Sequence, residues 1–184
     1  MPGPQCFRTV TLHDGASVRL RPIAPEDKPL LVDMFERLSE QSRYRRFFMR
    51  LRHLSPGTLS QFTELDHANR EAIIAIEPAS GHALGVARYV RSSDDPQEAE
   101  VAVAVVDDWH RRGLGPALLA QLRTRAQQQG IRRFVAIVQA SNRDALALAD
   151  DIGASRLRAA GPNLELVIEL PLREDLPSRP LAAG

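Results

Sequence analysis

Two hydrophobic periodicities alternate along this chain, and their clearest junction lies near its middle. Val101, Val103 and Val105 alternate with Ala102 and Ala104 and then meet Val106, a β-branched run closed by Asp107 and Asp108, which predicts a largely buried strand. Leu114, Leu118 and Leu122 then recur at helical spacing, so a helix is predicted over residues 115–129, with Gly130 as its C-terminal stop. Residues 134–138 form a second apolar run, and a strand reached through a helix predicts a parallel crossover. Asn142 is placed to cap a further helix that ends at Gly153.

The flanking segments complete the pattern. Residues 7–12 and 18–21 surround a His13-Asp14-Gly15 turn and read as a hairpin or as one bent strand. After Pro22 and Pro25, Glu26 and Asp27 precede Leu30, Leu31, Met34, Phe35 and Leu38, an amphipathic helix; Ser55-Pro56 opens another, carrying Leu59, Phe62 and Leu65. Residues 72–77 and 83–90 read as an antiparallel pair about Ser80-Gly81, and residues 156–160 and 164–170 as a closing hairpin about Gly161-Pro162-Asn163. This predicts about seven strands and about four helices with no internal repeat. The expected fold is α/β, a mixed and mostly antiparallel sheet with a central parallel crossover. One domain is expected over residues 1–170, followed by a proline-rich tail at 171–184.

The chemistry concentrates where the central strand meets its helix. Gly113 and Gly115 let backbone approach a ligand with no Cβ in the way, Pro116 suits a first helical turn, and Arg111 and Arg112 stand beside an N-terminus whose amides attract phosphate. No Gly-Lys-Ser/Thr run exists, which excludes a P-loop. A dinucleotide fingerprint fails too: Leu118 stands where its third small residue belongs, and Gln139 where its acidic ribose partner belongs. The plain alternative is a helix that merely starts after two glycines. Against it, HRRGLG from His110 to Gly115 resembles the pyrophosphate loop of the GNAT superfamily of acyl-CoA N-acyltransferases: Gln or Arg, two residues, Gly, one residue, Gly or Ala. His110 takes the first place of that pattern. Val105 and Trp109 match its usual valine and aromatic positions, and FVAIVQASNRDALALADDIGA resembles the superfamily's next strand and asparagine-led helix. SVRLRPIAPEDKPLLVDMFERLSEQSRYRRFF, with NRE ahead of the following strand, is similar to the acetyltransferase domain of bacterial protein lysine acetyltransferases of the Pat type.

That resemblance implies a division of labour. The central strand and the next one splay at a bulge, and the acyl-pantetheine arm enters the gap. Val103 and Val105 offer it backbone groups, while His110, Arg111, Arg112, Gly113, Leu114 and Gly115 hold the diphosphate and Asn142 contacts the cofactor near its pantetheine. Pat-like domains carry their catalytic glutamate near the start of this strand, which points to Glu100. Alternation puts Glu98 on the same face, and a rim carboxylate paired with Arg88 or Arg91 is an equally open reading. The family often has a tyrosine as general acid after the asparagine; Leu148 and Ala149 stand there instead, so no acid is assigned. SRYRRFF, residues 42–48, reads either as the acceptor-site rim, with Arg43, Arg45 and Arg46, or as aromatics packed inward under solvated arginines.

Composition narrows the partners. A net charge of +1, with charges interspersed, argues against nucleic acid. No run is long and apolar enough for a membrane span, the first residues lack a signal-peptide pattern, and the single cysteine, Cys6, excludes a disulfide framework, so a cytoplasmic protein is expected. The five histidines are scattered, and no metal is assigned. Lys28 is the only lysine. The expected activity is acetyl transfer from acetyl-CoA to an amine acceptor, a protein lysine first, with a small amine, an amino acid or a non-catalytic acyl-CoA sensor as the alternatives.

Overall fold

The computed structural model describes residues 8–170. The expected start at Phe7 and the tail at 171–184 lie outside the described residues. The chain begins with a true hairpin, β1 (Arg8–Thr11) and β2 (Ser17–Pro22), closed by a turn with Gly15 at φ +85°. Reading this segment as two strands rather than one bent strand raises the strand count to eight. Asp27, at the N-cap of α1, is buried with Arg21 in a fork-to-fork pair at 2.5–2.6 Å and also accepts from the Ala24 amide. This clamp fixes the entry to α1 (Lys28–Arg37), which buries Leu31, Met34 and Phe35.

A further helix, α2 (Glu40–Phe47), occupies the basic and aromatic segment, followed by α3 (Pro56–Thr63) with Ser55 as its side-chain cap. Strands β3 (Arg70–Ile76), β4 (Ala83–Arg91) and β5 (Glu98–Val105) then form the antiparallel centre of the sheet. Helix α4 (Leu114–Gln128) crosses to β6 (Arg133–Gln139), and α5 (Arg143–Asp151) leads to the closing hairpin of β7 (Ser155–Ala160) and β8 (Asn163–Glu169). The sheet order is β1-β2-β3-β4-β5-β6-β8-β7, and β5–β6 is its parallel pair.

Two layers cover this sheet. Leu114, Leu118 and Leu122 of α4 are at most 1% exposed and pack on the face that carries Ile73, Ala87 and Tyr89. Gly85 makes that approach possible: a Cβ there would lie 2.9 Å from the Ala104 carbonyl oxygen and 3.1 Å from Leu118. Glu71, fully buried on the same face, is tied to Arg125 of α4 at 2.7 Å. The opposite face, which carries Val86 and Arg88, is covered by α1 to α3, where the Phe47 ring meets Phe35 at 5.8 Å and Phe62 at 6.2 Å.

Candidate functional site

Strand β5 is unequally paired on its two edges. Against β4 its register is unbroken from Ala99–Arg91 to Val105–Gly85, whereas against β6 it holds three positions, Glu98–Arg133, Ala99–Phe134 and Glu100–Val135. Beyond Glu100 the strands part, β6 remaining with β8 through Gln139. The expected splay is present, but the expected bulge is not: the β4–β5 ladder runs without a register shift, and the gap opens because each strand follows its other neighbour. Residues 102–105 are consequently half-buried rather than enclosed.

The direction of the backbone groups follows from the ladder. The Val106 amide donates to Leu84, and Glu98 accepts from Ser92, so the even-numbered residues of β5 bond to β4. The N–H and C=O groups of Val103 and Val105 therefore turn toward the gap. His110 Nε2 lies 2.9 Å from the Val105 carbonyl oxygen and donates to it, so the residue that departs from the pyrophosphate-loop pattern is bonded to the edge of the cleft.

At the wide end of the gap, the chain turns through Arg111, at φ +59°, and Gly113, at φ +90°, into α4. A Cβ on Gly113 would sit 3.1 Å from the His13 ring, contributed by the β1–β2 turn. None of the amides of residues 111–115 donates to a described group, and Pro116 has no amide hydrogen to give. The result is a cluster of free donors at a helix N-terminus, where the macrodipole adds partial positive charge. The arginine side chains are otherwise engaged. Arg112 pairs with Asp14 and stacks 3.8 Å over the Trp109 ring, while Arg111, 84% exposed, pairs with Asp144 at 3.0 Å. Asp144 also faces Arg45 of α2 at 3.6 Å, so one carboxylate spans the cleft mouth from the loop to α2.

The narrow end holds Glu100, exposed and without an ion pair or hydrogen bond among the described residues. Glu98 is committed to Arg133 at 2.9 Å, and Arg91 to the Pro96 and Gln129 carbonyls. Of the two β5 glutamates those pairings leave Glu100 free, and they remove the rim pairing with Arg91. Over this end lies α2, whose N-terminus is held by Asp107: its carboxylate accepts from the Ser39 amide at 2.9 Å and from the Ser39 and Ser42 hydroxyls at 2.9 and 2.7 Å. Burial opposes ionisation of Asp107, but these bonds outweigh it and hold the carboxyl below its ordinary value.

One cavity of about 1010 Å³ gathers the whole arrangement. Glu100, Val103, Val105, His110, Arg111, Gly113, Gly115 and Asn142 line it; the Arg112 and Leu114 side chains do not, so these two can serve only through their amides. Asn142 caps α5 by accepting from the Ala145 amide at 3.3 Å. The wall also contains Arg45, Arg46 and Phe47 of α2, so each earlier reading of that segment holds only in part: Arg45 and Arg46 face the cavity and Phe47 packs inward, but Arg43 turns back onto Phe35 and the end of α1, Tyr44 and Phe48 are exposed, and Arg46 is half-buried rather than solvated. Sequence reasoning missed His13 and Asp144. The Asp14-Gly15 turn signal could have flagged His13 as a loop residue; nothing local marks Asp144. Neither tyrosine lines the cavity. Tyr89 is buried on the α4 side with its hydroxyl donating to Ala68, and burial, then Glu71, pushes its pKa up to about 12.

Comparison with known proteins decides the family. Residues 31–154 match the Acetyltransferase (GNAT) family. The chain belongs to that family. An acetyltransferase of Pseudomonas aeruginosa is 30% identical over 135 residues, 72% of each chain. The GNAT domain of S. lividans PAT superposes with a TM-score of 0.84 at 32% identity, covering 89% of this chain and 97% of that one. The acetyltransferase Pat of Mycolicibacterium smegmatis is 29% identical over 93% of this chain, which spans 51% of the length of that protein. As a GNAT protein the chain is an acyl-CoA N-acyltransferase, of a family that uses acetyl-CoA. The expected mixed sheet with one parallel crossover is the observed one. Among the described residues no helix is long and apolar enough to cross a membrane.

Proposed function

We propose that this GNAT domain transfers an acetyl group from acetyl-CoA directly to the side-chain amine of a protein lysine. One observation carries the reading: free loop amides, an unpaired strand edge and an unpaired glutamate lie along a single cleft. A diphosphate suits the amides of residues 111–115, and an extended pantetheine arm suits the N–H and C=O groups of Val103 and the N–H of Val105, whose carbonyl already accepts from His110, as an added strand would. Asn142, at the wall of the cleft, can meet that arm while still capping α5.

Glu100 is the proposed base. A lysine amine, with an ordinary pKa of about 10.4, costs about 4.6 kcal/mol to hold neutral at pH 7, at about 1.36 kcal/mol per unit. Glu100, directly or through water, takes the proton as the nitrogen attacks the thioester carbonyl carbon. The carbon–sulfur bond then breaks, CoA leaves as its thiolate, and the amide product departs. A thiolate leaves without a strong acid, its thiol pKa being about 8.5, consistent with a cavity that no tyrosine lines. Similarity to the Pat proteins supports the protein acceptor, as does the exposure of Glu100. Single-turnover release of CoA over a panel of lysine peptides and free amines tests this. Turnover on peptides is expected; turnover on free amines alone would sink the protein acceptor, and CoA binding without turnover on any amine would sink the enzyme reading.

A further inference from the structure

Two guanidinium groups on the acceptor side of the sheet have no hydrogen-bond acceptor. Arg46 comes from α2 and Arg88 from β4, where Arg88 pairs with Ala102 in register and Val90 with Glu100, so Arg88 and Glu100 are diagonal neighbours on one face. Both stack on the Phe62 ring, with guanidinium carbons 5.9 and 4.5 Å from its centroid, and Arg46 also lies 4.9 Å over Phe47. Neither makes a hydrogen bond or an ion pair among the described residues. Other arginines of the domain behave differently: Arg21, Arg43, Arg125 and Arg133 all end on carboxylates or carbonyls.

The local charge is only partly compensated. Burial, then the neighbouring charge of Arg88, pushes Arg46 down to about 10, and burial, then Arg70, pushes Arg88 down as well. Both remain cationic at neutral pH, and Glu100 is the one anion that favours their charged forms. The aromatic rings offset part of the cost of burying two neighbouring cations but leave their N–H groups without acceptors, and a guanidinium fork presents parallel N–H groups that fit a carboxylate. Space exists for one. Arg46 lines the main cavity beside Glu100, and a side pocket of about 40 Å³, walled mostly by apolar groups such as Met34, Phe35, Leu54 and Phe62, has Arg46 and Arg88 as its polar lining. That volume takes a group of a few atoms. The small side chains of Ala102 and Ala104 keep the floor open.

On the acyl-transfer reading above, we propose that Arg46 and Arg88 form a carboxylate-binding subsite next to the reaction centre, so that one reactant carries a carboxylate. The carboxylate can come from an acidic residue flanking the target lysine or from the far end of a dicarboxylic acyl group. Equilibrium binding separates the two without requiring turnover. A lysine peptide with a flanking Asp is compared with its Asn isostere on the CoA-loaded protein, and succinyl-CoA with butyryl-CoA on the free protein. The carboxylate member of one pair is expected to bind about tenfold more tightly. That preference should fall to within about twofold in R46M/R88M, which keeps the stem packing, and persist in the exposed control R52Q. Single variants R46Q and R88Q give the same reading should the double variant fail to fold. The pair that shows the preference identifies its source. Equal binding within both pairs in the wild type, or a preference that survives R46M/R88M, overturns the subsite. Turnover of the neutral peptide with acetyl-CoA, followed separately, reports on acyl transfer itself, so either idea can fail alone.

Discussion

The two edges of β5 are made of the same valines and alanines and end differently. Toward β4 the backbone is saturated along the strand; toward β6 pairing stops after Glu100, and two valines keep their polar groups turned into a gap. Small side chains permit both outcomes, one by letting the neighbouring strand and α4 close in and the other by leaving room. Unpaired strand edges within a domain are unfavourable when buried without partners. An edge kept open in this way beside free helix-N-terminal amides is the one we propose binds the acyl-CoA, and the closed edge holds it in place.

Substitutions on this strand separate the two roles. The largest effect is expected at the fork: Glu100→Gln should lower kcat about a hundredfold or more while the Kd for acetyl-CoA stays within about twofold, measured by turnover and by calorimetry. Proline then distinguishes the edges. Ala104→Pro removes an amide that bonds to β4 and should destabilise the fold by about 3 kcal/mol, seen in denaturant unfolding; Val103→Pro removes one that faces the gap and should instead weaken acetyl-CoA binding about tenfold with little loss of stability. Gly85→Ala tests the closed side, where a methyl group meets backbone at 2.9 Å; a loss of about 2 kcal/mol is expected, a fall in Tm of about 4–8 °C. The smallest effect is at the cleft mouth. Asp144→Asn frees Arg111 and Arg45 and removes a negative charge near the diphosphate seat, so affinity for CoA should rise a few-fold, most visibly at low salt.

A pH effect sharpens the same contrast. Asp107 is held below its ordinary value of 3.8 in the folded protein, so the stability it contributes is present above that value and is lost as pH falls through its folded pKa. Acid should therefore loosen α2 before the β3–β4 centre, and amide exchange along residues 39–47 should rise first. Loss of protection in both regions together would break the comparison.

What the sequence revealed depended on the range of the interactions. The strand, loop and helix from Val101 to Leu122 are specified by neighbours, through alternation, two glycines and a leucine spacing, and could be read directly. Helix α2 could not. Its eight residues include three arginines and offer little apolar stripe; it is held by Asp107, more than sixty positions away, and by Arg43, which stacks 4.6 Å over Phe35 and donates to the last carbonyls of α1. The site divides in the same way. The loop amides follow a local pattern, and Glu100 rests on the family resemblance because alternation alone leaves Glu98 equally open, whereas the Asp144 bridge, the His13 contact and the fate of the Arg112 side chain are set by pairs distant in sequence. The continuous β4–β5 register likewise has no local signature, since a bulge needs only one extra residue in the partner.

The three bonds that Asp107 makes with Ser39 and Ser42 join the turn before Trp109 to the first turn of α2. One carboxylate thereby couples the loop that leads into α4 to the cleft wall that carries Arg45, Arg46 and Phe47. On the reading proposed above, acceptor affinity is expected to differ between the free and the CoA-loaded protein, and Asp107→Asn is expected to reduce that difference.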